Sequence, residues 1–299
     1  MHLDDAAIKN LELRANAIRQ SIIEMLLAAG SGHTAGPLGM ADIFTALYFH
    51  ILKHNPHEPN WPDRDRLILS NGHICPVLYA AMAHAGYFPV EELQTLRKLG
   101  SRLQGHPHRE FLPALETSSG PLGSGLSQAV GMAIADRIDA VAERKKAGDD
   151  KSVVMSRFFF CLTGDGELDE GNNWEAIQLA GRERLGNLIT FVDRNNIQID
   201  GYTENVLPLE DLRAKWESFN WHVLEIDGHN FEEIIAAVDQ AKAIFEKPSV
   251  IIAHTIPGKG VAEFERKFEW HGKPPNADEA ALALNELRTL QGRIQSEHQ

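Results

Sequence analysis

Two oxygen-bearing side chains stand at turns that close two apolar runs. Phe158–Thr163 runs into Gly164-Asp165-Gly166, and Leu188–Val192 runs into Asp193-Arg194-Asn195-Asn196. Between them lies a segment of helix length, Asn172–Arg184. Strand, helix, strand is a βαβ unit whose strands lie parallel. Open parallel sheets bind ligands outside the carboxyl ends of their strands. Asp165 and Asn195, thirty positions apart, are therefore expected side by side at one sheet edge. A carboxylate beside a carboxamide oxygen suits a hard divalent cation that also holds phosphate. The glycines let backbone N–H groups approach that phosphate closely. Asp, Asn and Gly also dominate ordinary turns, so the pair alone fits plain turn chemistry as well.

Further residues could share such a site. Of fourteen histidines, His33, His73, His106 and His271 each adjoin a glycine in a turn-like context. Imidazoles titrate near neutrality and suit proton exchange, but spacing does not show that these four converge. Gly120-Pro121-Leu122-Gly123-Ser124-Gly125 opens a long helical segment, and a Gly-rich loop at a helix N-terminus can hold an anion. Its glycines fit neither the dinucleotide fingerprint nor a P-loop. Glu170, five positions after Asp165, reads by itself as an acid at a helix start.

The elements that must position these residues alternate along the chain. Helical periodicity marks Leu3–Ala29, closed by Gly30, then Met40–Ile51 after a loop at Gly30–Gly39. Arg66–Leu69 is a strand entering Ser70-Asn71-Gly72-His73. Cys75–Ala85 is helical, Pro113–Gly125 is loop, and Leu126–Lys146 is a helix stopped by Gly148-Asp149-Asp150. After the βαβ unit come a strand at Trp221–Ile226, a helix at Phe231–Phe245, a strand at Ser249–His254 and a helix at Ala277–Gln291, with Ser296–Gln299 frayed. The pattern predicts an α/β fold with a parallel sheet covered by helices on both faces. Residues 1–276 are expected to form one domain and 277–299 a C-terminal helical arm. The net charge of −13 argues against nucleic acid as a partner. No apolar run approaches a membrane span, and the first twenty residues have no signal-peptide character. Cys75 and Cys161 sit in apolar contexts, as buried free thiols of a reducing cytoplasm would.

The motifs resemble the transketolase family. Gly164-Asp165-Gly166 followed about thirty positions later by Asn195 is similar to the thiamine diphosphate signature. Ser31–Ile43, Asp65–His73, Gly105–Pro107, Ser118–Ala133 and Trp270–Asn276 match further family blocks in order. The likeness covers nearly the whole chain, and only the first, diphosphate-binding domain of the family. It implies the thiamine-diphosphate-binding (PP domain) fold and the N-terminal subunit of a split transketolase. It puts the Asp165 carboxylate, the Asn195 amide oxygen and the Ile197 carbonyl on Mg²⁺ or Ca²⁺. Gly164 and Gly166 then lie against the diphosphate, and Gly120 and Leu122 against the coenzyme's middle. His33, His106 and His271 face the sugar donor, His73 and His271 lie nearer the diphosphate, and Glu170 sits at the dimer centre as a catalytic acid coupled to the partner's coenzyme-activating glutamate. Arg194 stands where the family often has a second Asp, Ser124 where Gln is frequent, and Thr34-Ala35-Gly36 replaces a Pro-Gly spacing. The implied partner is a C-terminal, pyrimidine-binding subunit, two copies of each chain assembling, with sugar phosphates as substrates. The rival readings are a 1-deoxyxylulose-5-phosphate synthase or a 2-oxoacid dehydrogenase component, a noncatalytic phosphate-binding module and an Mg²⁺ phosphohydrolase. Trp270-His271-Gly272-Lys273 and the histidine set favour transketolase.

Overall fold

Apolar runs interrupted by turns become the strands of one sheet. In the computed structural model, which describes residues 3–148 and 157–297, these are β1 (Arg66–Leu69), β2 (Phe159–Gly164), β3 (Leu188–Arg194), β4 (His222–Asp227) and β5 (Ser249–His254). They pair in the order β1-β2-β3-β5-β4, every pair parallel. β3 is buried along its whole length, as a central parallel strand covered on both faces must be.

Period-two alternation splits the sheet between two cores. Phe160, Leu162, Ile189, Phe191 and Ile251 point into a cluster with Ile18, Leu78 and Ile234. Phe159, Cys161, Leu188, Val192 and Ile252 point the other way, against Leu126, Val130, Ile177 and Trp216. Each large apolar side chain so buried stabilises by roughly 1.5–3 kcal/mol, so a charged residue at Phe191 would break the sheet's middle. The helices α1 (Asp5–Ala29), α2 (Ala41–Ala46), α3 (Cys75–His84), α4 (Ser124–Ala147), α5 (Gly171–Glu183), α6 (Leu212–Ser218), α7 (Phe231–Ala243) and α8 (Ala277–Glu297) supply the two layers. In α1, Asp4 caps the start by accepting from the Ala7 N–H at 2.8 Å, and Gly30 at φ 63° ends it.

Local readings need correcting in places. The single helix expected at Met40–Ile51 is α2 followed by a π turn at Leu47–Ile51, and Ala35–Gly39, expected as loop, is a short helix. Close packing shapes this segment: a Cβ on Gly39 would lie 3.0 Å from the Ile256 carbonyl oxygen. α8 runs past Gln291 to Glu297, because the buried Ile294 outweighs the ~1 kcal/mol helix penalty of Gly292. Asp149 and Asp150 of the expected helix stop, and His298 and Gln299 of the expected frayed tail, lie outside the described residues. Register aligns the carboxyl ends: Leu69 pairs with Leu162, Gly164 with Asp193 and Asp193 with Ala253. The turns after β1, β2 and β3 thereby share one edge.

Candidate functional site

The acidic turn is held by its own hydrogen bonds. The Asp165 N–H donates to the Asp193 carbonyl at 3.1 Å, carrying β2 onto β3. Asp165 Oδ1 accepts from the Gly166 N–H at 2.7 Å. Its Oδ2 accepts from the Asn196 N–H at 2.7 Å and from Arg194 Nη1 at 3.1 Å. Asn195 donates through Nδ2 to Asp193 Oδ2 at 2.7 Å and accepts the Ile197 N–H at 3.0 Å through Oδ1. Burial pushes Asp165 up to about 6 and Asp193 up to about 7. These acids sit in a place that a cation would relieve. Arg194 is buried, and its Nη2 reaches Glu204 at 2.6 Å and Glu210 at 2.7 Å. It therefore ties this turn to the segment beyond.

A second carboxylate, Glu167, organises the glycine loops. It is 3% exposed. Its Oε1 accepts from the Gly123 N–H at 2.8 Å and from Ser70 Oγ, and its Oε2 from the Gly164 N–H at 3.1 Å. The Gly125 N–H donates in turn to Ser70 Oγ at 3.1 Å. One side chain thus fastens the starts of three turns together. Gly123 has φ 84°, and a Cβ there would lie 2.8 Å from Glu170 Cβ, so this close approach requires glycine. Sequence reading missed Glu167; its signal was the acid directly after Gly166, and its partners Ser70 and Gly123 come from distant segments. The reading also missed Asp193 as the holder of Asn195, signalled by Asp-x-Asn.

The histidines come together. Ring centroids lie 4.9 Å apart for His33 and His73, 5.1 Å for His73 and His271 and 5.5 Å for His33 and His271. Burial, then the neighbouring His271, Arg97 and His106, lowers His33 to about 4. Burial likewise lowers His73, His106 and His271, so all four rings are neutral near pH 7. Neutral imidazoles offer one donor and one acceptor each. His33 Nδ1 is buried and has no protein partner.

One cleft of about 300 Å³ collects these groups. It is lined by His33, His73, His106, Gly120, Leu122, Gly164, Asp165, Gly166, Asn195, Ile197 and His271, joined by Asn71, Glu167 and Asp193. Glu170 does not line it; that residue is exposed at the start of α5. Among the described residues no group of three His, Cys, Asp or Glu side chains gathers as a metal cluster. One carboxylate, one amide oxygen and one backbone carbonyl fit Mg²⁺ or Ca²⁺ when a bound phosphate supplies further oxygens. The orphaned polar atoms and the Gly120 turn, where a Cβ would point at the His106 ring 3.9 Å away, fit a ligand seated against both parts. Among the described residues no helix is long and apolar enough to cross a membrane.

A family profile described as the thiamine diphosphate binding domain of transketolase matches residues 11–290. A 6-deoxy-6-sulfo-D-fructose transketolase subunit from a Clostridium species is 43% identical over 278 residues, covering 93% of this chain and 96% of that one. Transketolase 2 of Escherichia coli is 43% identical over 275 residues, covering 91% of this chain and 40% of that one. The solved transketolase of Leishmania mexicana superposes with a TM-score of 0.85 at 32% identity, covering 96% of this chain and 45% of that one. The chain thus spans less than half the length of these two transketolases and nearly all of the Clostridium subunit.

Proposed function

This chain belongs to the transketolase family as its thiamine diphosphate-binding domain, and from that premise we propose that it is the diphosphate- and Mg²⁺-holding subunit of a two-subunit transketolase. The observation that carries the proposal is the meeting of Asp165, Asn195 and four neutral histidines in one cleft. The Asp165 carboxylate, the Asn195 amide oxygen and the Ile197 carbonyl hold Mg²⁺, or Ca²⁺ in its place. The Gly164–Gly166 turn presents backbone N–H groups to the diphosphate, and Gly120 and Leu122 lie against the coenzyme. Thiamine diphosphate supplies the nucleophilic carbon and the electron sink for carbon–carbon cleavage. His33, His106 and His271 orient the hydroxyls and carbonyl of the donor and move protons at those oxygens, while His73 and His271 border the diphosphate. The reaction is transfer of a two-carbon ketol unit from a ketose phosphate to an aldose phosphate. A second reading, with 6-deoxy-6-sulfo-D-fructose as the donor, is favoured by the likeness to the Clostridium 6-deoxy-6-sulfo-D-fructose transketolase subunit.

The partner is a second chain carrying the pyrimidine site and the activating carboxylate, two copies of each chain assembling. The near-complete coverage of a relative named as a subunit supports this. Glu170, exposed at the start of α5 and packed on Gly123, is the acid on this chain that faces the partner's centre. The buried free thiols Cys75 and Cys161 suit a reducing cytoplasm. The test is a ketol-transfer assay on the purified chain, freed of host transketolase, with and without the product of a neighbouring pyrimidine-domain reading frame. Activity that appears only with the partner and saturates at one-to-one is expected. Full activity of the chain alone overturns the two-subunit reading. Pyruvate decarboxylation without ketol transfer overturns the transketolase assignment.

A further inference from the structure

We propose that Asn71 is a recognition residue of the diphosphate edge, its side-chain amide donating to an anionic oxygen of the bound group; this deepens the reading above and rests on it. Asn71 follows β1 in the turn that enters the Gly72–Ile74 helical turn. Its side chain is 1% exposed, and neither Oδ1 nor Nδ2 has a hydrogen-bond partner. The other buried asparagines differ. Asn16 donates to the Leu287 carbonyl, Asn173 to the Glu167 carbonyl, Asn187 to Asp136 and Asn195 to Asp193. Among the described residues Asn71 is the buried asparagine with both amide ends vacant.

Native proteins bond nearly all their buried polar groups, and each one left bare is unfavourable by about 1–3 kcal/mol. A vacant amide on a cleft wall marks a partner that is not protein. The direction of the side chain says which part of that partner it meets. Asn71 lines the cleft. A Cβ on Gly164, one position before Asp165, would lie 3.8 Å from both Cβ and Nδ2 of Asn71. The amide therefore lies over the strand end that carries the Gly164–Gly166 turn. The backbone beneath it is clamped on both sides. Ser70 donates to Glu167, and a Cβ on Gly72 would meet Ser119 at 2.6 Å. The chemistry follows. The nearby carboxylates Asp165 and Glu167 repel a phosphoryl oxygen, whereas a neutral amide N–H attracts it without adding charge.

The experiment compares wild type, Asn71→Ala and Asn71→Asp, each assembled with the pyrimidine-site partner chain. Affinity for thiamine diphosphate in Mg²⁺ is measured by calorimetry and by the rise of the thermal midpoint with coenzyme concentration. Inorganic diphosphate serves as a second probe. Loss of a hydrogen bond to a charged group is expected to weaken both ligands roughly ten- to hundredfold in Asn71→Ala. Asn71→Asp is expected to bind more weakly still, because the carboxylate has no donor and repels phosphate. The ligand-free midpoint of Asn71→Ala is expected to match or exceed wild type, since an orphaned amide is removed. A purely structural asparagine would instead lower that midpoint and leave affinity unchanged, which overturns the proposal. Asn71→Asp binding as well as or better than Asn71→Ala means the amide faces a hydroxyl, and also overturns it. If wild type binds neither ligand at millimolar concentration, the diphosphate-edge reading falls and this one with it. If wild type binds and both variants match it, only the Asn71 assignment falls.

Discussion

The cleft has two unlike parts. Around Asp165, Asp193 and Asn195 every side-chain oxygen accepts an internal hydrogen bond, and Arg194 adds a buried guanidinium. Around the histidines, His33 Nδ1 is buried with no protein partner. The acidic edge is geometrically finished and electrostatically strained: burial raises its two aspartates. The histidine wall is the reverse, with neutral rings packed near 5 Å and open hydrogen-bonding capacity. A charge needs a counter-charge, while an orphaned polar atom needs a hydrogen bond. The two parts thus fit a cation with its phosphate on one side and a hydroxylated substrate on the other.

The comparison predicts that substitutions in the two parts fail differently. In the assembled enzyme His106→Ala and His271→Ala are expected to lower turnover about 10²–10⁴-fold, the usual contribution of a general acid–base group. Coenzyme affinity should change far less. Steady-state kinetics and calorimetry on the same preparations separate the two, and wild-type turnover on every accepted donor would remove the histidines from the chemistry.

Asp165→Ala is expected to fail in affinity. The loss of Mg²⁺-dependent thiamine diphosphate binding should exceed the ~10–100-fold typical of residues that only support a metal ligand. Unchanged affinity by calorimetry would make this aspartate a turn residue.

The smallest effect sharpens the comparison through pH. His33 is lowered to about 4 by burial and by His271, Arg97 and His106, with the His73 ring beside it. The unfolded chain binds its proton between about pH 6.5 and pH 4 while the folded chain does not. The stability tied to His33 is therefore present above about pH 6.5 and lost as pH falls toward 4. Thermal midpoints of wild type and His33→Asn, scanned over that window, should converge as the pH drops. Parallel curves would show that His33 is not held neutral by the fold.

Much of this was legible in the residues themselves. The strands and helices around Asp165 follow from apolar runs and turn chemistry, and Ser249–His254 was read to the residue. Boundaries slipped where packing overrode local preference, as when Gly39 lies against Ile256 and the Met40–Ile51 helix divides. The hairpin of Ile197–Gln198 with Gly201–Tyr202, and helix α6, escaped notice because both are short. Asn195 was found from its place after a strand. Glu167 was not, because two of its partners, Ser70 and Gly123, lie far away in the chain.

Taken by itself, the sequence determined that the chain makes a parallel α/β sheet and that Asp165 and Asn195 end adjacent strands. Period-two patterning and short-range turn signals act over a few residues and need no knowledge of the whole. Only the tertiary structure decided that His33, His73 and His271 touch, that Glu170 stands outside the cleft, and that Asn71 is buried with nothing to bind. Those facts depend on strand order and register. Both arise from packing two faces of the sheet at once, and no local window of residues contains them.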